Sequence, residues 1–186
     1  MMKKVILFFA NGTEEIEALT PFDMLKRCGA DVILCGVGKS KTLLGSHGIK
    51  VECDINENDL DQNIDFDMII LPGGGLGSQN LRDSKIVDHF IDRALKENKY
   101  IGAICASPSV VLGSKNILVS KKATCYPGFE EGMTGAFVTN EDVVRDGYII
   151  TGKGCGVSFE FSFELVSCLY GNEIKEELKR KIVWSN

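Results

Sequence analysis

Hydrophobic residues in this chain fall into short unbroken runs, separated by stretches with helical spacing. Lys4 to Ala10 is the first run: after the lysines, Val5-Ile-Leu-Phe-Phe-Ala10 has no polar position. A segment that is apolar at every position predicts a strand covered on both faces, as in a parallel sheet. Asp31 to Cys35, Phe66 to Leu71 and Tyr100 to Ile104 repeat the signal. Between the first two, Thr13-Glu-Glu-Ile-Glu17 opens a helix, with Thr13 as its cap and the acids at its positive end. Ile16, Leu19, Phe22, Met24 and Leu25 supply its apolar face, and Gly29 ends it. Pro21 cannot donate to the carbonyl of Glu17, which predicts a kink. Ser84 to Asn98 is an amphipathic helix capped by Ser84, with Ile86, Val87, Phe90, Ile91, Ala94 and Leu95 on one face.

Shorter elements fill the remainder. Thr42 to Leu44 and Ile49 to Cys53 flank a Gly-Ser-His-Gly turn and read as a hairpin. Lys122 to Cys125, Ala136 to Thr139, Val143 to Arg145 and Tyr148 to Thr151 read as strands, with a turn at Asp146-Gly147. Phe159 to Leu169 reads as a buried helix and Glu173 to Lys181 as an exposed one. Strands alternating with helices predict an α/β fold: a mostly parallel sheet with helices on both faces. No repeat, linker or low-complexity tract interrupts the chain, so residues 1–186 are expected to form a single domain.

Composition narrows the function classes. The chain is 44% hydrophobic and 25% charged, with a net charge of -5. No basic patch is present, which argues against nucleic acid as a partner. The apolar run after Lys3 and Lys4 is too short for a signal peptide core or a membrane span. The seven cysteines form no CxxC pair, so a zinc site is not expected, and they read as free thiols in a reducing cytoplasm. Gly36-Val-Gly-Lys-Ser40 lacks the first glycine of a P-loop and runs into the hairpin rather than a helix.

The chemistry concentrates where strands end. In parallel sheets the crevice lies beyond the carboxyl ends of the strands. The first strand runs into Asn11-Gly-Thr13 and the Glu14, Glu15, Glu17 cluster. The third runs into Pro72-Gly-Gly-Gly75. The Tyr100 run ends on Cys105, followed by Ala106-Ser-Pro108 and then Ser109 to Leu112, a strand, sharp turn and helix. A cysteine at such an elbow meets converging backbone N–H groups and the positive end of a helix, which favours a thiolate. Gly74 and Ala106 N–H groups are placed to form an oxyanion hole, and the glycines at 73 to 75 permit close approach. A partner for the thiol is needed. His89 lies on the polar side of its helix and His47 in the hairpin turn, so an acid is the better candidate; a buried carboxyl keeps its proton and donates a hydrogen bond to sulfur, or shuttles that proton during reaction. Spacing alone leaves Glu14, Glu15 and Glu17 open.

Asn11-Gly-Thr-Glu-Glu-Ile-Glu17, Leu71-Pro-Gly-Gly74, Ala103-Ile-Cys-Ala-Ser-Pro108 and Gly154-Cys-Gly-Val-Ser-Phe-Glu-Phe161 together resemble the ThiJ/PfpI superfamily, and within it the DJ-one branch of protein deglycases. The resemblance implies a flavodoxin-like three-layer sandwich and a homodimer. It implies Glu17 as the glutamate that hydrogen-bonds the reactive Cys105, and Gly74 and Ala106 as its backbone donors. It implies Asp23 as an acid near the pocket and Arg27 as a dimer contact. Two positions depart from the pattern: Tyr126 stands where the best-known members have histidine, and Cys155 where relatives often have proline. Ala106 replaces the histidine that follows the cysteine in the protease branch, so peptidase activity is not expected.

These readings converge on a cofactor-free, cysteine-dependent enzyme. The resemblance implies glyoxalase or deglycase chemistry on small reactive dicarbonyls such as methylglyoxal, with Cys105 as nucleophile, Glu17 as proton carrier and Gly73, Gly75 and Tyr126 around the pocket. The alternative is a redox-sensing stress protein or chaperone in which Cys105 is oxidised to sulfinate. Glutamine-amidotransferase-like transfer ranks below both, because its histidine is missing.

Overall fold

The computed structural model describes residues 2–185. Its centre is a seven-stranded sheet. β1 (Lys4–Ala10) lies between β2 (Asp31–Val37) and β6 (Met68–Leu71), and both pair with it in parallel. β7 (Tyr100–Ile104) and β11 (Ile149–Gly152) extend the parallel sheet beyond β6. β10 (Val143–Asp146) closes that edge antiparallel to β11, and β5 (Ile55–Asn56) closes the other beside β2. β3 (Thr42–Leu44) and β4 (Lys50–Glu52) form the expected hairpin outside the sheet. β8 (Lys122–Ala123) and β9 (Phe137–Val138) make a separate parallel pair.

Alternation along β1 builds the two cores. Ile6, Phe8 and Ala10 face one side; Val5, Leu7 and Phe9 face the other, and all are fully buried. Helices α2 (Gly75–Arg82) and α3 (Lys85–Glu97) cover the first face with Leu81, Val87, Phe90, Ile91 and Ala94. Helices α1 (Glu15–Arg27), α4 (Ser158–Tyr170) and α5 (Asn172–Lys181) cover the second with Ala18, Leu25, Phe161, Leu165 and Leu178. The Ser84 hydroxyl caps α3 by accepting the Val87 N–H, and Asn98 ends it in the left-handed region.

Several local expectations change. α2 occupies a stretch expected to be a glycine loop. Its sequence Gly-Leu-Gly-Ser has poor helix propensity, but a side chain at Gly77 would collide with the Thr13 backbone, so close packing against the β1–α1 turn selects glycine inside a helix. The cap of α1 is Glu14 rather than Thr13. Thr13 is fully buried and its hydroxyl accepts the Ala10 N–H at 3.0 Å, closing the turn after β1 instead. α1 is continuous through Pro21. The helix expected after Cys105 shrinks to a π-helical turn at Pro108–Leu112 and a 3₁₀ turn at Gly113–Lys115.

The largest change is the face that α1 presents. Ile16 and Leu19 are exposed, at 52% and 37%, while Glu15 and Glu17 are buried at 3% and 0%. Glu15 is turned inward because it ties the β3–β4 turn to the helix. It accepts hydrogen bonds from the Ser46 hydroxyl at 3.1 Å, the His47 backbone N–H at 2.9 Å, the His47 ring Nδ1 at 3.0 Å and the Ile49 N–H at 3.4 Å. Burial alone would raise this carboxyl; the bonds from the His47 ring and from the turn backbone bring it from 4.5 down to about 2. Its pKa is lower in the folded chain, so its stabilisation is complete above 4.5 and is lost as the pH falls through about 2. Glu15→Gln is expected to lower stability at neutral pH by about 1–3 kcal/mol. Urea denaturation should show the gap between the variant and the parent narrowing as the pH falls below 4.5; a gap that is independent of pH would contradict this role.

Candidate active site

Three strand ends converge as the sheet topology requires. β7 delivers Cys105 on a residue with φ of 64°, in the left-handed region that side chains rarely adopt. Two hydrogen bonds hold it there. Its N–H donates to the Gly152 carbonyl at the end of β11, and its carbonyl accepts the Tyr126 N–H, both at 2.9 Å. The Ser107 hydroxyl donates to the Pro72 carbonyl and so binds the elbow to the loop after β6. Strain of this kind persists where the surroundings over-determine the backbone, commonly at reactive positions.

Glu17 reaches the elbow from α1. Its Oε2 accepts the Gly73 N–H at 2.9 Å. Its side chain also hydrogen-bonds the Cys105 thiol. Oε1 is buried and has no nitrogen or oxygen partner, which leaves it as the atom to carry a proton toward sulfur. A Cβ on Gly73 would stand 2.5 Å from Glu17 Oε2 and 2.6 Å from Cys105 Cβ, so any side chain there would separate the acid from the thiol. Gly74, at φ 90°, has room for no Cβ against the Gly12 carbonyl. Its N–H and that of Ala106 both point at the sulfur.

The expectation of a simply depressed thiol does not hold. Burial, then the charge and hydrogen bond of Glu17, raise Cys105, and the two backbone N–H groups offset this only in part. Burial likewise raises Glu17 from 4.5 to about 7; the thiol contact and the Gly73 N–H oppose the rise, and the Glu14 charge adds to it. Two acids in one buried contact do not ionise together readily, so the pair titrates as a unit and holds one proton between them after its first ionisation. In the tautomer with the proton on Glu17, sulfur carries the charge and receives both N–H groups.

Other candidates fall elsewhere. Gly75 is exposed and begins α2. Asp23 does not join the site. It is six residues beyond Glu17, which places it on another side of α1, and it pairs with Arg27 at 2.7 Å in a cavity lined by Met24, Phe159 and Trp184. Arg27 belongs to that same half-exposed end of the helix. Tyr126 hydrogen-bonds Cys105 through its backbone, while its side chain is 49% exposed. His47 is taken up by Glu15, and His89 Nε2 donates to the Gln62 carbonyl at 3.0 Å. Glu14, Glu15 and His47 bring one ligand atom each within 4.8 Å of one another, but both Glu15 oxygens already serve the β3–β4 turn. All seven cysteines are free. Glu14, which spacing left open beside Glu15 and Glu17, acts on Glu17 through its charge. Sequence reasoning missed the Ser107 contact, which joins residues 35 positions apart and left no local signal.

The raised Glu17 has a consequence for stability. The folded chain holds this proton more tightly than the unfolded chain, so the contribution is full below 4.5 and is lost as the pH rises through about 7. Glutamine keeps an acceptor for Gly73 and a donor for sulfur without the buried charge. Glu17→Gln is therefore expected to be more stable than the parent by about 1–3 kcal/mol near pH 8, with the gain vanishing near pH 4. Denaturant titrations at the two pH values measure it, and a loss of stability near pH 8 would refute the buried-charge account.

The chain is similar to known proteins over nearly its whole length. The sequence profile of the DJ-1/PfpI family matches residues 3–168. The chain is 36% identical to Protein DJ-1 homolog B of Arabidopsis thaliana over 182 residues, covering 97% of this chain and 41% of that protein. It thus spans about two fifths of that plant relative's length. It is 31% identical to a Caenorhabditis elegans protein named glutathione-independent glyoxalase DJR-1.2, covering 96% of this chain and 94% of that one. The structure of oxidized Toxoplasma gondii DJ-1 superposes with a TM-score of 0.95 at 30% identity, covering 99% of this chain and 100% of that one. The flavodoxin-like α/β arrangement, the family profile and the full-length relatives agree: this chain belongs to the DJ-1/PfpI family.

Proposed function

We propose that this protein is a cofactor-free, cysteine-dependent glyoxalase or deglycase acting on small dicarbonyls or their early adducts. One observation carries the reading: a carboxyl raised by burial to about 7 touches a thiol that also receives two backbone N–H groups. An acid near neutrality can both give and take a proton in one cycle. The C. elegans relative's name supports the same class.

The steps balance without an added cofactor. Cys105 thiolate attacks the aldehyde carbon of methylglyoxal and forms a C–S bond. Glu17 donates its proton to the resulting oxyanion, which the Gly74 and Ala106 N–H groups stabilise. The Glu17 carboxylate then removes the hydrogen on the former aldehyde carbon and returns it to the neighbouring carbon, while the hydroxyl proton passes from the first oxygen to the second through the same carboxyl, giving a lactoyl thioester. Water cleaves the thioester, releasing lactate and restoring the thiol and the acid. The sum is methylglyoxal plus water to lactate and a proton.

A second reading uses the same sulfur. Two equivalents of peroxide would convert the thiolate to a sulfinate with release of two waters. Glu17, whose side chain meets the sulfur, would donate to a sulfinate oxygen. A homodimer fits either reading. Ile16, Leu19, Ile49 and Phe159 line one open cavity of about 320 Å³ on the outside of α1, a face suited to a second copy. No described helix is long and apolar enough to cross a membrane.

Cys105→Ser and Glu17→Gln are each expected to reduce lactate formation from methylglyoxal by at least about 10²-fold. Undiminished turnover by purified Cys105→Ser protein would remove this mechanism. The rate of Cys105 alkylation against pH gives an independent reading. In the parent it should rise through about 7, with the first ionisation of the pair. In Glu17→Gln the midpoint should move upward, since burial still raises the thiol and no shared proton remains. Superimposable pH profiles for the two proteins would show that sulfur and carboxyl titrate independently.

A further inference from the structure

Ser107 stands where a capping residue belongs and does not cap. It precedes Pro108, the first residue of the π-helical turn, and its side chain accepts no backbone N–H from that turn. A serine in this place ordinarily does so. Its backbone, at φ -64° and ψ -34°, also lies in the α region, which a following proline disfavours. Two local preferences are therefore set aside. The residue is fully buried, and its hydroxyl donates to the Pro72 carbonyl at 2.5 Å. That carbonyl belongs to the peptide whose N–H, on Gly73, donates to Glu17 Oε2 at 2.9 Å. A chain of hydrogen bonds thus runs from Ser107 through one peptide group to the acid, and the acid meets the thiol of Cys105, two residues before Ser107. The next peptide is used in the same way. The Gly73 carbonyl accepts the Glu14 N–H at 3.1 Å, and the N–H of that peptide, on Gly74, points at sulfur.

We infer that Ser107 is a positioning residue for the acid and the thiol: its hydroxyl polarises the Pro72–Gly73 peptide and thereby draws the shared proton away from Glu17 and toward Cys105. Its part in turnover rests on the carbonyl reading above. Linked hydrogen bonds polarise one another, so donation into the Pro72 carbonyl strengthens the Gly73 N–H as a donor. A stronger donor favours the ionised carboxylate. With one proton in the pair, that proton then sits on sulfur. The adjacent peptide acts in the opposite sense, because its N–H favours charge on sulfur. Two consecutive peptide groups therefore divide one proton, and Ser107 sets the balance from the side of the acid.

The rate of Cys105 alkylation by iodoacetamide against pH, read by mass spectrometry on the Cys105 peptide, tests this in the intact protein. Ser107→Ala removes the hydroxyl. The carboxyl is the more acidic member of the pair, so its weaker ionisation should move the midpoint up by about half a pH unit. It should also raise the plateau above the midpoint about threefold, because a larger share of the singly ionised pair carries its charge on sulfur. Well below the midpoint the two proteins should react at the same rate. Ser107→Gly removes the same hydroxyl and should give the same two shifts, which covers the case in which one variant does not fold. In the Glu17→Gln background, Ser107→Ala should leave the profile unchanged, since the effect passes through the carboxylate. A midpoint that stays in place or moves down in the folded variants would overturn the assignment: a loosened elbow would admit water and lower both groups, since burial is what raises them. An equal shift in the Glu17→Gln background would overturn it too. No aldehyde enters these rates, so their outcome is separate from that of the lactate assay.

Discussion

Everything distinctive in this molecule is arranged around one proton held between a carboxyl and a thiol away from bulk water. Glu17 is fully buried, and the nearest opposing influences are backbone N–H groups rather than a cation. Such a pair is costly to ionise and more costly to ionise twice. The surroundings reflect this. Gly73 has no side chain because one would part the two groups. Cys105 adopts a left-handed backbone that costs of order 1–2 kcal/mol for a residue with a Cβ. Hydrogen bonds to Gly152, Tyr126 and Pro72 offset that cost by binding the elbow to three neighbouring segments.

The same requirement explains helix α1. A helix laid on a sheet ordinarily turns its apolar residues inward. Here Glu15 and Glu17 lie on the inner side at the first turn, one serving the β3–β4 turn and the other the thiol, and Ile16 and Leu19 are left outside. Ala18, Met24 and Leu25 still pack on the sheet, so the helix remains anchored further along. An exposed apolar stripe on α1 is thus the geometric counterpart of two buried acids. Function at the inner face and an apolar surface at the outer face arise from one choice of helix rotation.

What could be read beforehand follows from which forces are local. The parallel strands were visible because burial on both faces leaves uninterrupted apolar runs such as Val5 to Ala10. α3 was visible because one face is buried and Ser84 caps it. Cys105 stood out because a strand that ends on a cysteine before small residues marks an elbow. Glu17 did not stand out from Glu14 and Glu15 by spacing, since all three suit a helix N-terminus; only resemblance distinguished it. The rotation of α1, the helix at Gly75–Arg82 and the separation of Asp23 from the site were hidden for a shared reason. Each is decided by contacts with residues remote in the chain, which override propensity and periodicity.

The two chemistries open to this sulfur make different demands on the same acid. In carbonyl chemistry Glu17 must part with its proton and recover it within each turnover, so a value near neutrality is what the cycle requires, and burial supplies it. In peroxide chemistry Glu17 need only stay protonated, as a fixed donor to the oxidised sulfur, and a still higher value would serve better. Glu14 raises Glu17 and the Gly73 N–H lowers it, so the acid is held between the two demands by opposing groups. A site evolved only to store a sulfinate would gain nothing from the Gly73 N–H at 2.9 Å, because that bond stabilises the ionised carboxylate. The presence of that donor therefore argues for a carboxyl that cycles between charged and neutral forms, and with it for proton transfer as the task of this pair.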